Sequence, residues 1–304
     1  MEFRGVFISD IHFSLRAPES RKETYGQEIL EKLNFVIDFA NKKGAYIFIA
    51  GDIFHYKSNV SDEEKIALMK VLRRANMPIY GIVGSHDLSG YQLESINRRA
   101  IGVLQEAGLF TILNDKVYFE NGNICVSGAN VCKDYESTNP YSVKKGKEKI
   151  RIHLTHGMLL DEKDPRFDCT TLSEVETEAD LIFNGHFHQC LGIKKINNTY
   201  FVRLGSLSRD SVTLKDHQPR LLFVSIENSK LKLNTVKIPV KEDVWISDER
   251  VENKGIDFKE FVEMLKESKV KVFDIYQTII DVGEKSGFKN SAINKALEIV
   301  SEIE

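Results

Sequence analysis

The stretch "RGVFISDIH" (residues 4–12) decides how the rest of the chain is read. Its first six residues are apolar on both faces, the pattern of a strand covered on both sides of its sheet. Two potential metal ligands, Asp10 and His12, follow at once. The same unit then recurs. A helical pattern over 26–42 leads to "AYIFIA" (45–50) and Gly51-Asp52. A second helix, with Ser61 as N-cap and Glu64 three residues on, leads to "IYGIV" (79–83) and Gly84-Ser85-His86-Asp87. A third helical pattern over 92–108 precedes "KIRIHLT" (149–155), which ends at His156-Gly157. "DLIFNG" (180–185) runs into Gly185-His186-Phe187-His188. Strands alternating with helices define an α/β fold.

Beyond about residue 195 the texture changes to "TYFVRLGS", "RLLFVSIE" and "KLKLNTVKIPV". Short turns between these runs predict antiparallel strands that complete a second sheet. Pro239 and the acidic stretch at 247–252 mark a boundary. We therefore expect a body over 1–240 and a small helical C-terminal region over 241–304, its helical pattern starting at Asp257. The 304 residues are 42% apolar and 29% charged, an ordinary globular balance, and the net charge of −3 gives no global case for nucleic-acid binding. Cysteines 125, 132, 169 and 190 show neither metal-ligand spacing nor a disulfide framework. With no apolar run of membrane-spanning length and no signal-peptide pattern at the start, the chain reads as cytoplasmic.

The chemistry lies at the carboxyl ends of the strands, the edge where open α/β sheets place their sites. Period two in Asp10/His12 and His186/His188 puts each pair on one face of extended chain, as a shared metal requires. Any one of these motifs is commonplace. Five of them in order, each after a strand and together using five of the eight histidines, point to a dinuclear metal centre. Mixed carboxylate and imidazole donors suit Mn²⁺, Fe²⁺ or Zn²⁺. Two such ions can activate water and clamp the oxygens of an in-line displacement at phosphorus.

Across about residues 4–210, the set DxH, GD, G-Ser85-HD, H and GHxH resembles the calcineurin-like metallophosphoesterase superfamily, whose third motif is GNH[DE]. "GDIFHYKSNVS", with His55, and "GSLSRDS" (205–211) are most similar to its SbcD/Mre-eleven nuclease branch. The resemblance implies a four-layer α/β/β/α sandwich, here with a small C-terminal helical appendage. It implies one ion, Mn²⁺ first among the three, on Asp10, His12, Asp52 and His188. A second ion would lie on Asp52, Ser85, His156 and His186, with Asp52 bridging. His86 would stabilise the phosphate or protonate the leaving alkoxide, and His55 would position DNA at the rim.

The implied function is DNA exo/endonuclease activity in repair and recombination, with an SbcC-type, SMC-like ATPase as partner and homodimers as in the family. Residues 241–304 would be a reduced ATPase-docking or capping element. Basic residues placed to meet DNA are Arg16, Arg21 and Lys22, Arg203 and Arg209, and the run "KKGKEKIR" (144–151).

Ser85 is the departure. Either it ligates directly with its loop drawn inward, or water fills the gap, or the second site is weak. The alternatives are accordingly a stand-alone small-nucleotide phosphodiesterase and a catalytically weak scaffold on the same fold.

Overall fold

The structure is a computed structural model that describes residues 2–246 apart from 58, 166 and 243. The chain divides into two compact units. One comprises residues 1–17 and 22–244, the other residues 18–21 and 245–304. The helices expected after Asp257 lie outside the described residues. In the second unit the Arg21 guanidinium lies over the Trp245 ring at 4.8 Å, and Ile246 N–H donates to Ser20 O at 3.1 Å.

The first unit opens with three strand–helix repeats. β1 (Glu2–Ile8), β2 (Tyr46–Ala50), β3 (Ile79–Ile82) and the short β4 (Thr111–Ile112) pair in parallel, joined by α1 (Tyr25–Lys43), α2 (Asp62–Leu72) and α3 (Ala100–Glu106). α1 forms because Ile29, Leu33, Val36, Ile37 and Ala40 make one buried stripe against this sheet. It stops at Gly44, whose φ of 58° is the left-handed conformation that glycine adopts without strain. α2 begins at the expected capping box. Ser61 Oγ accepts from Glu64 N at 3.1 Å, and Glu64 Oε2 accepts from Ser61 N at 2.7 Å. Glu64 Oε1 also accepts from Ser14 Oγ and Leu15 N, so the cap fastens the loop that follows Asp-x-His.

The second sheet contains β5 (Val117–Phe119), β6 (Ile124–Gly128) and β7 (Ile150–Gly157). After the small pair β8 (Leu159–Leu160) and β9 (Thr170–Thr171) come β10 (Leu181–His186), β11 (Gly192–Ile196) and β12 (Thr199–Arg203). Its order is β11-β12-β10-β7-β6-β5. The sheets pack face to face through Phe3, Phe7, Phe48 and Ile82 on one side and Leu154, Phe183 and Val202 on the other. Phe7 stacks on Phe48 at 4.7 Å and meets Phe183 at 5.6 Å. Each such buried phenyl contributes about 1.5–3 kcal/mol by leaving water, and the interface sets the strand ends of both sheets side by side.

One expectation is corrected. β13 (Arg220–Glu227) and β14 (Lys230–Lys237) are antiparallel as read, but they extend the first sheet, β13 pairing with β1, rather than completing the second. The α/β sandwich is as expected. The outer face of the second sheet, at Ile182 and Phe201, packs against Tyr141, Leu159, Leu172 and Ala179.

Candidate metal centre

Asp10 and His12 follow β1, Asp52 follows β2, Ser85 to Asp87 follow β3, His156 lies on β7 and His186 ends β10. The structure brings all of them together. Asp52 Oδ2 is 3.1 Å from His156 Nε2, 3.7 Å from His12 Nε2 and 3.4 Å from Ser85 Oγ. Asp10 Oδ1 is 3.7 Å from His188 Nε2, and the Nε2 atoms of His12 and His188 are 3.0 Å apart. Two ligand clusters result, Asp10–His12–His188 and Asp52–His156–His186, and Asp52 also groups with His12 and His86. Asp52 thus sits between the two.

How the ligands converge differs from the expectation. Asp10, His12, Asp52 and His186 all have positive φ, at 52°, 46°, 52° and 81°. They face one another through left-handed backbone turns and not through the alternation of an extended strand. Such conformations cost of order 1 kcal/mol or more for non-glycine residues and persist only where surroundings impose them. Here the imposing bonds are backbone ones: Asp10 N–H to Gly51 O at 3.1 Å, His12 N–H to Asp52 O at 3.0 Å and Leu207 N–H to Asp10 O at 3.1 Å. Tyr25 adds its hydroxyl to His12 O at 2.7 Å. Gly84 is required because a Cβ there would collide with the Asp52 carboxylate.

Asp87 does not hold His86. Its carboxylate accepts from Asp52 N, Gly84 N and Ile53 N at 2.9, 2.9 and 3.0 Å, clamping the second motif to the third. His86 instead donates Nδ1–H to His55 O at 2.5 Å, while its backbone N–H donates to Asp52 Oδ1 at 2.7 Å. Ser85 is half-buried.

Burial pushes the Asp10 carboxyl up and, with His86, the His12 imidazole well down. His186 is pushed down to about 3 by burial and His156, and His55 to about 4, chiefly by burial. Burial acts against ionisation of Asp52 and His156 too, but their mutual attraction outweighs it. Asp52 lies well below the usual carboxylate range, and His156 rises to about 10. Without a cation, then, a proton on His156 balances Asp52, and His12 and His186 stay neutral with lone pairs available. His156 Nδ1 donates to Ala50 O at 2.7 Å, so its buried Nε2 faces Asp52 Oδ2. A divalent ion would replace that proton, so the residues fit a metal centre.

Several supporting residues carried no motif signal. Asp210 Oδ1 lies 3.7 Å from His188 Nδ1, and its Oδ2 is 3.7 Å from His55 Nδ1. Asn184 Oδ1 accepts from Thr155 Oγ1 and Gly157 N, bracing β7 against β10. Tyr135 OH accepts from His156 N at 3.1 Å. Of these, Asn184 is legible as the neighbour of Gly185-His186, and Asp210 lies in the quoted loop "GSLSRDS".

Three of the five single basic candidates are buried within the fold. Arg203 is buried, donating to Gln189 O and Leu159 O, with its guanidinium over the Phe187 ring. Arg209 is buried and donates to Lys215 O and Lys241 O. Arg21 is also buried. In the lysine run, Lys145 pairs with Asp180 at 2.7 Å, and Arg151 is buried against Glu148. Lys22 is half-buried and Arg16 is exposed.

Comparison with known proteins agrees with this geometry. The chain is 24% identical over 260 residues to the DNA double-strand break repair protein Mre11 of Methanosarcina mazei, a match covering 81% of this chain and 40% of that protein. It is 23% identical over 280 residues to the Mre11 of Methanococcus maripaludis, covering 86% and 73% respectively. It therefore spans well under half the length of the first relative. Purple acid phosphatase PPD1 from yellow lupin shares the fold, with a TM-score of 0.50, 14% identity, and coverage of 78% of this chain and 52% of that one. No described helix is long and apolar enough to cross a membrane. The family model for calcineurin-like phosphoesterases matches residues 3–190, which contain every ligand in the two clusters. With that match and that centre, the chain belongs to the calcineurin-like phosphoesterase family, and its donor set is one that fits divalent metal ions.

Proposed function

We propose that the chain hydrolyses phosphodiester bonds in DNA, as an exo/endonuclease of the SbcD type in repair and recombination. The observation that carries this reading is the His86–His55 contact. Within "GDIFH" the His55 carbonyl takes the Nδ1 proton of His86, and the His55 side chain, which carries the likeness to the nuclease branch, stands with its ring 6.2 Å from His86 and 5.6 Å from His12. With Nδ1–H committed to that carbonyl, Nε2 is the ring nitrogen left to face the substrate, and it delivers a proton to the departing alkoxide when the ring is an imidazolium.

Asp10, His12, Asp52 and His188 would hold one divalent ion, and Asp52, Ser85, His156 and His186 the other, with Mn²⁺ proposed. The ions supply an activated water and positive charge against the phosphodiester oxygens. The protein's own part is to keep the donors fixed. Tyr135 holds the His156 backbone, Asp87 ties the Asp52 turn to the Ser85 turn, and Asp10 accepts the His186 N–H at 3.0 Å. An SbcC-type ATPase partner and a homodimer are further parts of the proposal, supported by the likeness to the two Mre11 proteins.

The test is digestion of linear duplex and single-stranded DNA in Mn²⁺, comparing wild type with His86→Ala. Cutting that depends on His86 is expected. No such cutting, alongside rapid hydrolysis of a cyclic nucleotide, would decide for a small-nucleotide phosphodiesterase. A metal-free protein by elemental analysis after Mn²⁺ loading would decide for a scaffold.

A further inference from the structure

A row of rings leads outward from the metal ligands to the surface. His12 meets His188 at 4.8 Å and His55 at 5.6 Å, and His55 meets the edge of Tyr56 at 4.6 Å. The Arg16 guanidinium lies over Tyr56, its Cζ 3.7 Å from the ring centroid. Arg16 is exposed, and among the described residues its guanidinium has neither a hydrogen-bond acceptor nor a carboxylate partner. This sets it apart from the buried Arg203 and Arg209, whose donors are spent on backbone carbonyls. Lys57 repeats the arrangement, with Nζ 5.7 Å from the Tyr91 ring. Tyr91 is 43% exposed.

Both cations stand on anchored backbone. Arg16 N–H donates to Ser14 Oγ at 3.0 Å, and that hydroxyl is itself bonded to the Glu64 cap. Lys57 O accepts from Arg99 Nη1 at 2.6 Å. A planar cation stacked on a phenol, with its donors uncommitted and its outer face in water, has a definite chemistry. It offers a flat surface to a nucleobase and N–H donors to a phosphate.

We propose that Arg16 on Tyr56, flanked by Lys57, clamps one unpaired nucleotide beside the metal centre, so that the substrate is a single-stranded DNA segment or frayed end and not a blunt duplex. A base inside a duplex has both faces covered by its neighbours and cannot use the stack, whereas an unpaired base can. The phosphate of that nucleotide then lies along the ring row that ends at His55 and His12. This inference rests on the nuclease reading above.

The experiment measures binding of a fluorescein-labelled oligo-dT and of a blunt hairpin duplex by anisotropy, in EDTA, for the full chain. Wild type is expected to prefer the single strand. Tyr56→Ala and Arg16→Lys should each weaken single-strand binding about tenfold, within the range for one base stack, and leave duplex binding unchanged. Arg16→Lys is informative because it keeps the charge and loses the plane. The inference is overturned if both variants bind oligo-dT as wild type does, or if the duplex binds equally well and responds equally. A parallel Mn²⁺ assay separates the two claims. If wild type neither binds nor cuts DNA but hydrolyses bis(p-nitrophenyl) phosphate, the nuclease reading falls and takes the clamp with it. If it cuts DNA and the variants cut the single strand at the wild-type rate, the clamp alone falls.

Discussion

His86 gives its Nδ1 proton to the carbonyl of His55 at 2.5 Å, so one motif's backbone fixes the tautomer of another motif's side chain. That bond leaves Nε2 as the nitrogen open to the substrate, and a proton carried there makes the ring an imidazolium, the form in which it acts as a general acid. His86→Ala should therefore lower the Mn²⁺-dependent rate of phosphodiester cleavage by about 10²–10⁴-fold, the range for a lost proton-transfer group. Metal binding should survive, since the two ligand sets on Asp10 and His156 do not include it. Calorimetric titration with Mn²⁺ alongside the rate assay checks both halves. Loss of both ions in the variant would make His86 a ligand instead.

Ser85 Oγ lies 3.4 Å from Asp52 Oδ2, within the cluster yet on a side chain shorter than the amide it replaces. The Ser85→Asn variant should preserve or raise Mn²⁺-dependent activity, with the weaker of two metal affinities tightening by about tenfold, the effect of one added ligand contact of ~1.4 kcal/mol. A wild-type protein that binds a single ion, and gains cleavage only on this substitution, would remove the active-variant reading.

The division between what the sequence shows and what it hides follows from locality. β1, β2 and β3 are legible because burial on both faces makes each a largely apolar run, β7 and β10 by their β-branched and apolar residues, and every metal ligand sits close to the end of one of these strands. The helix expected over 92–108 breaks into a 3₁₀ turn (Leu93–Arg98) and α3, because Arg99 is extended, with φ −118° and ψ 159°. No proline or glycine marks that break. The pairing of β13 with β1 is a contact between chain ends, which local patterning cannot encode. Arg203 and Arg209 look like phosphate ligands in one dimension, and only the fold reveals that carbonyl oxygens consume their donors. Asp210 lies in the quoted loop "GSLSRDS", but its role is hidden for the same reason: it consists in being near His55 and His188 at once.

Asp87 accepts three backbone N–H groups inside the core, and burial together with the neighbouring Asp52 carboxylate raises its pKa to about 7. Asp87→Asn would turn an amide NH₂ toward at least one of those donors whichever way the group is flipped. The expected cost is about 2–4 kcal/mol, the range for leaving a buried polar partner unmatched. Urea unfolding in EDTA measures it directly. A variant as stable as wild type would show that the turn is held by its metal ligands and not by this carboxylate.

His153, on β7 but outside the metal centre, sets a pH dependence of its own. Its Nε2–H donates to Pro140 O at 2.9 Å, and Nδ1 accepts from Ser127 Oγ at 2.9 Å. Ser127 in turn accepts from Arg151 Nη1 at 3.5 Å, so its hydroxyl proton is directed at His153. The ring is therefore held neutral, and burial lowers its pKa from 6.5 to about 4. Above 6.5 the ring is neutral in both the folded and unfolded states, and its contribution to stability is complete. As pH falls from 6.5 towards 4 the unfolded chain takes up a proton that the folded one refuses, and stability is lost, by about 2 kcal/mol at pH 5. His153→Gln removes the titrating group, so between pH 7.5 and 5 the variant should lose about that much less stability than wild type. Identical pH slopes in urea unfolding of the two proteins would mean that His153 titrates alike in both states, and that the Ser127–His153–Pro140 chain does not hold it neutral.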